Sequence, residues 1–287
     1  VEEQVVDYHS QEFLETMAGL MTEALDTPGG LQALAAAIAA PIESEIMRRE
    51  ISSLLLTRHA LPKGERAVYQ IKPQVRAYWI SKHGDAIAQE LGQDEVELPI
   101  NRIHSAPTVD VSVLRHGNIG TIQDIQQSAA DAIRTEIDRR TISVISEAVP
   151  TSNTIEVTGG KLTEEALNEA ISIIEDKELS VKHIVMRGRR FNDLRSWDLD
   201  PTTKAELRAK GVVKNYGTGS ILLTASASMN EVLIVPNKEV GKLAVREPLK
   251  TQPIDKAMEF STGWLVWSEI GQGVTRPDII TKIRILD

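Results

Sequence analysis

Six histidines, His9, His59, His83, His104, His116 and His183, are the residues best suited to proton transfer or metal binding in this 287-residue chain. No two of them lie three or four positions apart, the spacing that sets two imidazoles on one helical face, so surface or satisfied-core roles are expected. Cysteine is absent, which excludes disulfides, a thiol nucleophile and cysteine-ligated zinc or iron–sulfur sites. The chain has no Gly-x-Ser-x-Gly elbow and no His-Glu-x-x-His pair. Gly159-Gly160-Lys161 has the end of a phosphate-binding loop, but Ile155 replaces its first glycine and Leu162 its Ser/Thr, so it reads as a turn. Gly217-Thr218-Gly219 lacks the third glycine of a dinucleotide fingerprint and precedes a strand, not a helix.

The acidic pairs Glu164-Glu165 and Glu175-Asp176 sit on helical segments with lysines nearby, the arrangement of a solvated face. Arg187, Arg189 and Arg190 form the one basic cluster able to meet a phosphate or an acidic neighbour, with a subunit contact as the equal alternative. Tyr78, Trp79, Trp264 and Trp267 read as core or interface anchors. No catalytic, cofactor-binding or metal-binding residue is assigned, and no cofactor is expected.

Composition frames these absences. With 41% hydrophobic and 25% charged residues the chain is of ordinary globular type, long enough for one large or two coupled domains. A net charge of −9 argues against a general nucleic-acid binder, which needs a basic surface. No apolar run nears the roughly 20 residues of a membrane helix, and a basic-then-apolar leader pattern is missing, so a soluble intracellular protein is expected.

The elements that must position these residues follow from periodicity. Phe13, Leu14, Met17, Leu20, Met21 and Leu25 mark an amphipathic helix over 9–25, stopped at Thr27-Pro28-Gly29-Gly30. A second helix runs from Leu31, is expected to kink or break at Pro41, and resumes as Ile42 to His59. Val68, Tyr69 and Ile71, then Pro73-Gln74, then Val75, Tyr78, Trp79 and Ile80 read as a hairpin, with extended pieces at 96–103 and 108–114. Ile122 to Val149 reads as one helix of roughly 40 Å at about 1.5 Å per residue. Beyond Pro150 comes an α/β region: a helix capped by Thr163, a buried strand at 183–186, short helices at 191–197 and 204–210, and a turn at 215–219. Strands at 221–225, 231–236, 243–246, 264–270 and 279–286 close it.

This order, helical arm, extended loop, long helix, α/β domain and terminal strand, resembles the major capsid proteins of tailed bacterial and archaeal viruses, the Hong Kong 97-type fold. Locally, His183-Ile-Val-Met-Arg-Gly-Arg-Arg-Phe-Asn-Asp-Leu194 resembles the family's axial-domain strand and helix. Asn230-Glu-Val-Leu-Ile-Val-Pro236 resembles its later valine-rich strand, and Gly263-Trp-Leu-Val-Trp-Ser-Glu-Ile-Gly271 through Ile283-Arg-Ile285 its return into the peripheral domain. The resemblance implies an α+β fold divided into an N-terminal arm (1–63), an E-loop (64–105), a peripheral domain with the spine helix (106–150), an axial domain (151–270) and a return strand to the peripheral domain (271–287).

It further implies a structural subunit, not an enzyme, that self-assembles into pentamers and hexamers of an icosahedral head around double-stranded DNA. The implied partners are other copies of itself, portal, scaffolding or cement proteins, and packaged DNA by non-specific contact, with no membrane. The implied location is the virion, after assembly in the host cytoplasm. Some relatives cross-link an E-loop lysine to a neighbour's asparagine; Lys72 and Lys82 fall in the loop, but no motif marks an acceptor, so non-covalent locking is expected. Some also lose an N-terminal scaffolding segment to a viral protease, a history with which a chain starting at Val1 is compatible. The alternatives are an encapsulin-type nanocompartment shell, whose short N-terminal helix fits the long arm less well, and an α/β enzyme whose site is assembled from distant residues.

Overall fold

A computed structural model of the chain describes residues 29–71, 95–110, 119–197, 215–216, 219–256 and 261–286, together with residues 16, 19, 20 and 112. Of the helix expected over 9–25, residues 16, 19 and 20 are described and are helical, with Leu20 packed on the core around Leu34 and Ile38; the rest of it, most of the hairpin over 66–80 with Lys72 and Lys82, and the helix over 204–210 lie outside the described residues.

Helix α1, Gly30–Arg49, runs unbroken through Pro41. Proline removes one helical hydrogen bond and crowds the preceding turn, a cost of about 3 kcal/mol. Buried Leu34, Ala35, Ile38, Ile42 and Ile46 on both sides of it offset that by packing against one neighbour surface. The expected extension to His59 fails: after a single turn, α2 (Ser52–Leu55), the chain becomes strand β1, Thr57–Ala60, parallel to a later strand. All four β1 side chains are exposed, so its place is set by backbone pairing, which side-chain periodicity does not record.

Strand β2, Val68–Gln70, pairs antiparallel with β3, Glu95–Glu97; the second arm expected for the hairpin, Val75 to Ile80, lies outside the described residues. Strands β4 (Ile100–Ser105) and β5 (Thr108–Asp110) follow, then helix α3, Ile119–Ala148, of 30 residues.

Strand β6 (Thr154–Thr158), helix α4 (Glu164–Glu175), strand β7 (Val181–Met186), helix α5 (Gly188–Leu194), and strands β8 (Asn215–Tyr216), β9 (Gly219–Leu223) and β10 (Glu231–Pro236) come next. The long hairpin of β11 (Gly241–Lys256) and β12 (Ser261–Val274) precedes β13 (Thr281–Leu286). They form two main sheets. One has the order β1-β11-β12-β4, with β5 also on β12; the other has the order β6-β13-β10-β7-β9-β8.

The two sheets cut across the segments expected from the sequence. Of the expected axial segment, 151–270, residues 241–256 and 261–270 build the sheet that packs on α1 and α3, because Trp264 and Val266 share a core with Leu34, Ile38, Ala129 and Ile133. Of the expected return segment, 271–287, residues 271–274 complete β12 of that sheet, while β13 lies between β6 and β10, with Ile283 and Ile285 in the core under α4 and α5.

The unbroken apolar runs in β7 and β10 follow from burial on both faces. Ile184, Met186, Val232 and Ile234 meet α4 and α5 on one side. Val185, Leu233 and Val235 meet Ile142 and Ile145 of α3 and Val149 just past its end, with Leu243 and Val245 of the other sheet, on the opposite side. Helix α3 thus unites the two sheets: its first half packs on α1 and β12, its last turns on the second sheet.

Candidate assembly surfaces

The basic cluster separates by burial. Arg190 is 1% exposed and fully engaged: Nε donates to Met229 O (2.6 Å), one terminal nitrogen to Gly160 O (2.6 Å) and Asp193 Oδ2 (3.3 Å), and the other to Asn230 Oδ1 (3.0 Å). Asp193 Oδ2 also accepts from Leu162 N at 3.0 Å. A guanidinium suits this place because its planar donors reach two loops and Asp193 of its own helix at once without losing charge. Arg190 is therefore a clamp closing the end of the second sheet and is not a phosphate ligand. Arg189 is exposed and Arg187 half-buried, leaving those two at the surface.

Gly159 and Gly160 form the turn that the sequence indicated, with φ of 99° and 70°, a region costly for residues with a Cβ. Thr163 Oγ1 then accepts from Ala166 N at 3.4 Å and caps α4, whose Glu164 and Glu165 are exposed.

His183 is buried, with Nδ1 2.7 Å from Ser220 Oγ, and burial together with Lys182 holds its imidazole below the usual range. The ring is sequestered with one nitrogen bonded and Nε2 buried without a hydrogen-bond partner among the described residues. His59 contacts Tyr69 OH at 2.8 Å, joining β1 to β2, and His104 is exposed. Among the described residues no group of His, Asp and Glu is placed to hold a metal ion. His9, His83 and His116, like Tyr78 and Trp79, lie outside them.

Trp264 and Trp267 stand on opposite faces of β12. Trp264 is a core anchor under α1. Trp267 faces outward, with the Arg102 guanidinium 4.4 Å and the Lys250 ammonium 5.6 Å from its ring. Arg102 also pairs with Glu269 at 2.7 Å, and Lys250 with Glu247. This charged ladder is a solvated sheet face of the kind suited to polar contacts between copies.

Where the arm meets α3, sequence reading missed two buried carboxylates. Asp138 accepts from Ile51 N (2.9 Å) and Ser52 N (3.0 Å), capping α2 from another helix. Glu50 is buried beside it, and desolvation pushes both carboxyls above the usual range, Arg58 and the backbone donors only partly opposing it. Asp138 sits directly before Arg139 and Arg140 on a helix whose charged residues read as a solvated face, so only the packing of residues 50–52 reveals its role.

Two features remain open to neighbours among the described residues. Strand β4 ends its sheet, paired on one side only. Leu223 (40% exposed) and Met229 (47%) bracket the tip between β9 and β10.

No family model and no curated protein matches the chain. Solved structures do match. A chain of the capsid of cyanophage P-SCSP1u superposes with a TM-score of 0.63 at 14% identity, covering 83% of this chain and 89% of that one. A chain from Gordonia phage Cozz gives 0.64 at 11%, covering 83% and 87%. The chain has the phage capsid fold. A virus-like particle from Pyrococcus furiosus shares the fold, with a TM-score of 0.56 at 16% identity, covering 86% of this chain and 97% of that one. Likeness at this identity lies in backbone arrangement, and a capsid fold requires no catalytic cluster of its subunit.

Proposed function

We propose that this chain is a major capsid protein, a structural subunit that assembles with copies of itself into the pentamers and hexamers of an icosahedral viral head enclosing double-stranded DNA. The observation that carries the reading is the match to phage capsid structures over most of both chains. The buried arginine clamp and the sequestered histidine support it, because they assign the most reactive-looking residues to structure. A subunit that surrounds DNA without gripping it tolerates a charge of −9. Portal, scaffolding or cement proteins are the expected further partners, and the virion is the expected location.

The alternative is an encapsulin-type shell that packages protein, favoured by the shared fold of the Pyrococcus furiosus particle. Negative-stain microscopy of the purified protein after size-exclusion chromatography, with absorbance at 260 and 280 nm on the largest species, tests both. Closed shells holding nucleic acid support the viral reading, and shells holding protein support the alternative. Uniform monomers or dimers under all assembly conditions would overturn both.

A further inference from the structure

Between β4 and the middle of α3 lies a cavity of about 200 Å3. Strand alternation builds its walls. Asn101 and Ile103 on β4, and Ile270 and Gln272 on β12, fall on the sheet face that looks at α3, where Ile137 and Arg140 stand one turn apart. The three isoleucines form an apolar floor, and the polar groups above it are short of partners. Gln272 is 8% exposed; its Nε2 donates to Ile137 O at 3.2 Å, while its Oε1 has no hydrogen-bond partner. The carbonyl of Ile137 only accepts, which fixes the amide's orientation and leaves a buried acceptor without a donor. The side chains of Asn101 and Arg140 are exposed at the rim and make no hydrogen bond or ion pair among the described residues, whereas Glu136 beside them is held by Arg139 at 2.7 Å.

Each of these groups asks for a particular partner. A guanidinium without a carboxylate is best met by one, through two parallel hydrogen bonds. Gln272 Oε1 only accepts, so a ligand must bring an N–H or O–H to it. The isoleucine floor takes an apolar body, the arrangement of small-molecule sites in which a few polar groups fix orientation over an apolar lining. Sites for drug-sized molecules begin at roughly 300 Å3, so this one takes a single ring system or a short branched chain. The cavity lies between sheet and helix and is walled by side chains; a peptide strand added to the open edge of β4 would continue the sheet and leave its main chain outside.

We propose that the slot between β4 and α3 binds a small amphipathic carboxylic acid, with its carboxylate on Arg140, its apolar body on the isoleucine floor and an N–H or O–H on Gln272 Oε1. The site is independent of the shell reading. Indole-3-acetate, which carries all three features, is titrated into the unassembled full chain and followed by saturation-transfer NMR. Saturable binding with a Kd of about 1 mM or tighter is expected for a ligand of this size. 1-Methylindole-3-acetate, which keeps the acid and the ring but lacks the N–H, should bind about tenfold more weakly, and so should indole-3-acetate to Arg140→Gln. Arg189→Gln, on α5 and outside the slot, should bind as the native chain does. Because the chain has no cysteine, Asn101→Cys supplies a single thiol at the rim, and labelling it with bimane should abolish binding that the unlabelled variant retains. No saturation up to about 10 mM, equal affinity for the two indoles, or indifference to Arg140→Gln or to the rim label would overturn the proposal.

Discussion

Replacing Arg190 by methionine keeps most of the side-chain volume and removes every donor. In the native chain the guanidinium satisfies Met229 O, Gly160 O and Asn230 Oδ1 and faces Asp193. Arg190→Met leaves two loop carbonyls without this donor, at about 1–3 kcal/mol for each buried acceptor. Asp193 keeps its bond from Leu162 N but loses its cation. Removing one partner of a buried pair costs about 3–5 kcal/mol, and because these contributions overlap, a total in that range is expected. Urea denaturation of unassembled subunits, followed by circular dichroism, should show a midpoint lowered by about 1 M or more at a slope near 3 kcal/mol/M. Arg189→Met, at the adjacent position in the same cluster but exposed, should stay within about 0.5 kcal/mol of the native protein. A midpoint for Arg190→Met close to native, or an equal loss for Arg189→Met, would refute the clamp and return the cluster to the surface-contact reading.

Trp264→Ala should cost about 3–5 kcal/mol in urea denaturation, since the ring fills the core under α1; Trp267→Ala, on the opposite face, should cost far less. Gly263→Ala should lower the yield of folded protein sharply, because a Cβ there would lie 2.2 Å from Pro107 O, a backbone atom that also bonds to Trp264 N. Glu50 titrates above its unfolded value, so its charged form opposes folding at neutral pH and the opposition fades as pH falls through the folded pKa toward the unfolded one. Glu50→Gln should therefore be stabilising near pH 8, with its advantage over the native chain shrinking on acidification; thermal melts from pH 8 to pH 4 would show whether the difference has that sign.

Local patterns determined much of this protein. The long helix was legible because Ile133, Ile137 and Ile145 recur on one face, and β7 and β10 because fully buried strands need consecutive apolar residues. The turn at Gly159-Gly160 and the cap at Thr163 are short-range chemistry and appear as read. Pairings between distant segments were not legible. β1 is held by its backbone to β11, β2 meets β3 across 24 intervening residues, and β13 inserts between β6 and β10; the main-chain groups that choose these partners are the same in every residue. Burial separated residues that the sequence presents as equals: Arg190 from Arg189, Trp264 from Trp267, Asp138 from the solvated acids of its helix. Sequence supplied the residue types and the local elements. Which arginine is a clamp, which tryptophan is core and which carboxylate caps a distant turn was decided by tertiary structure, because each role depends on groups brought together from distant parts of the chain.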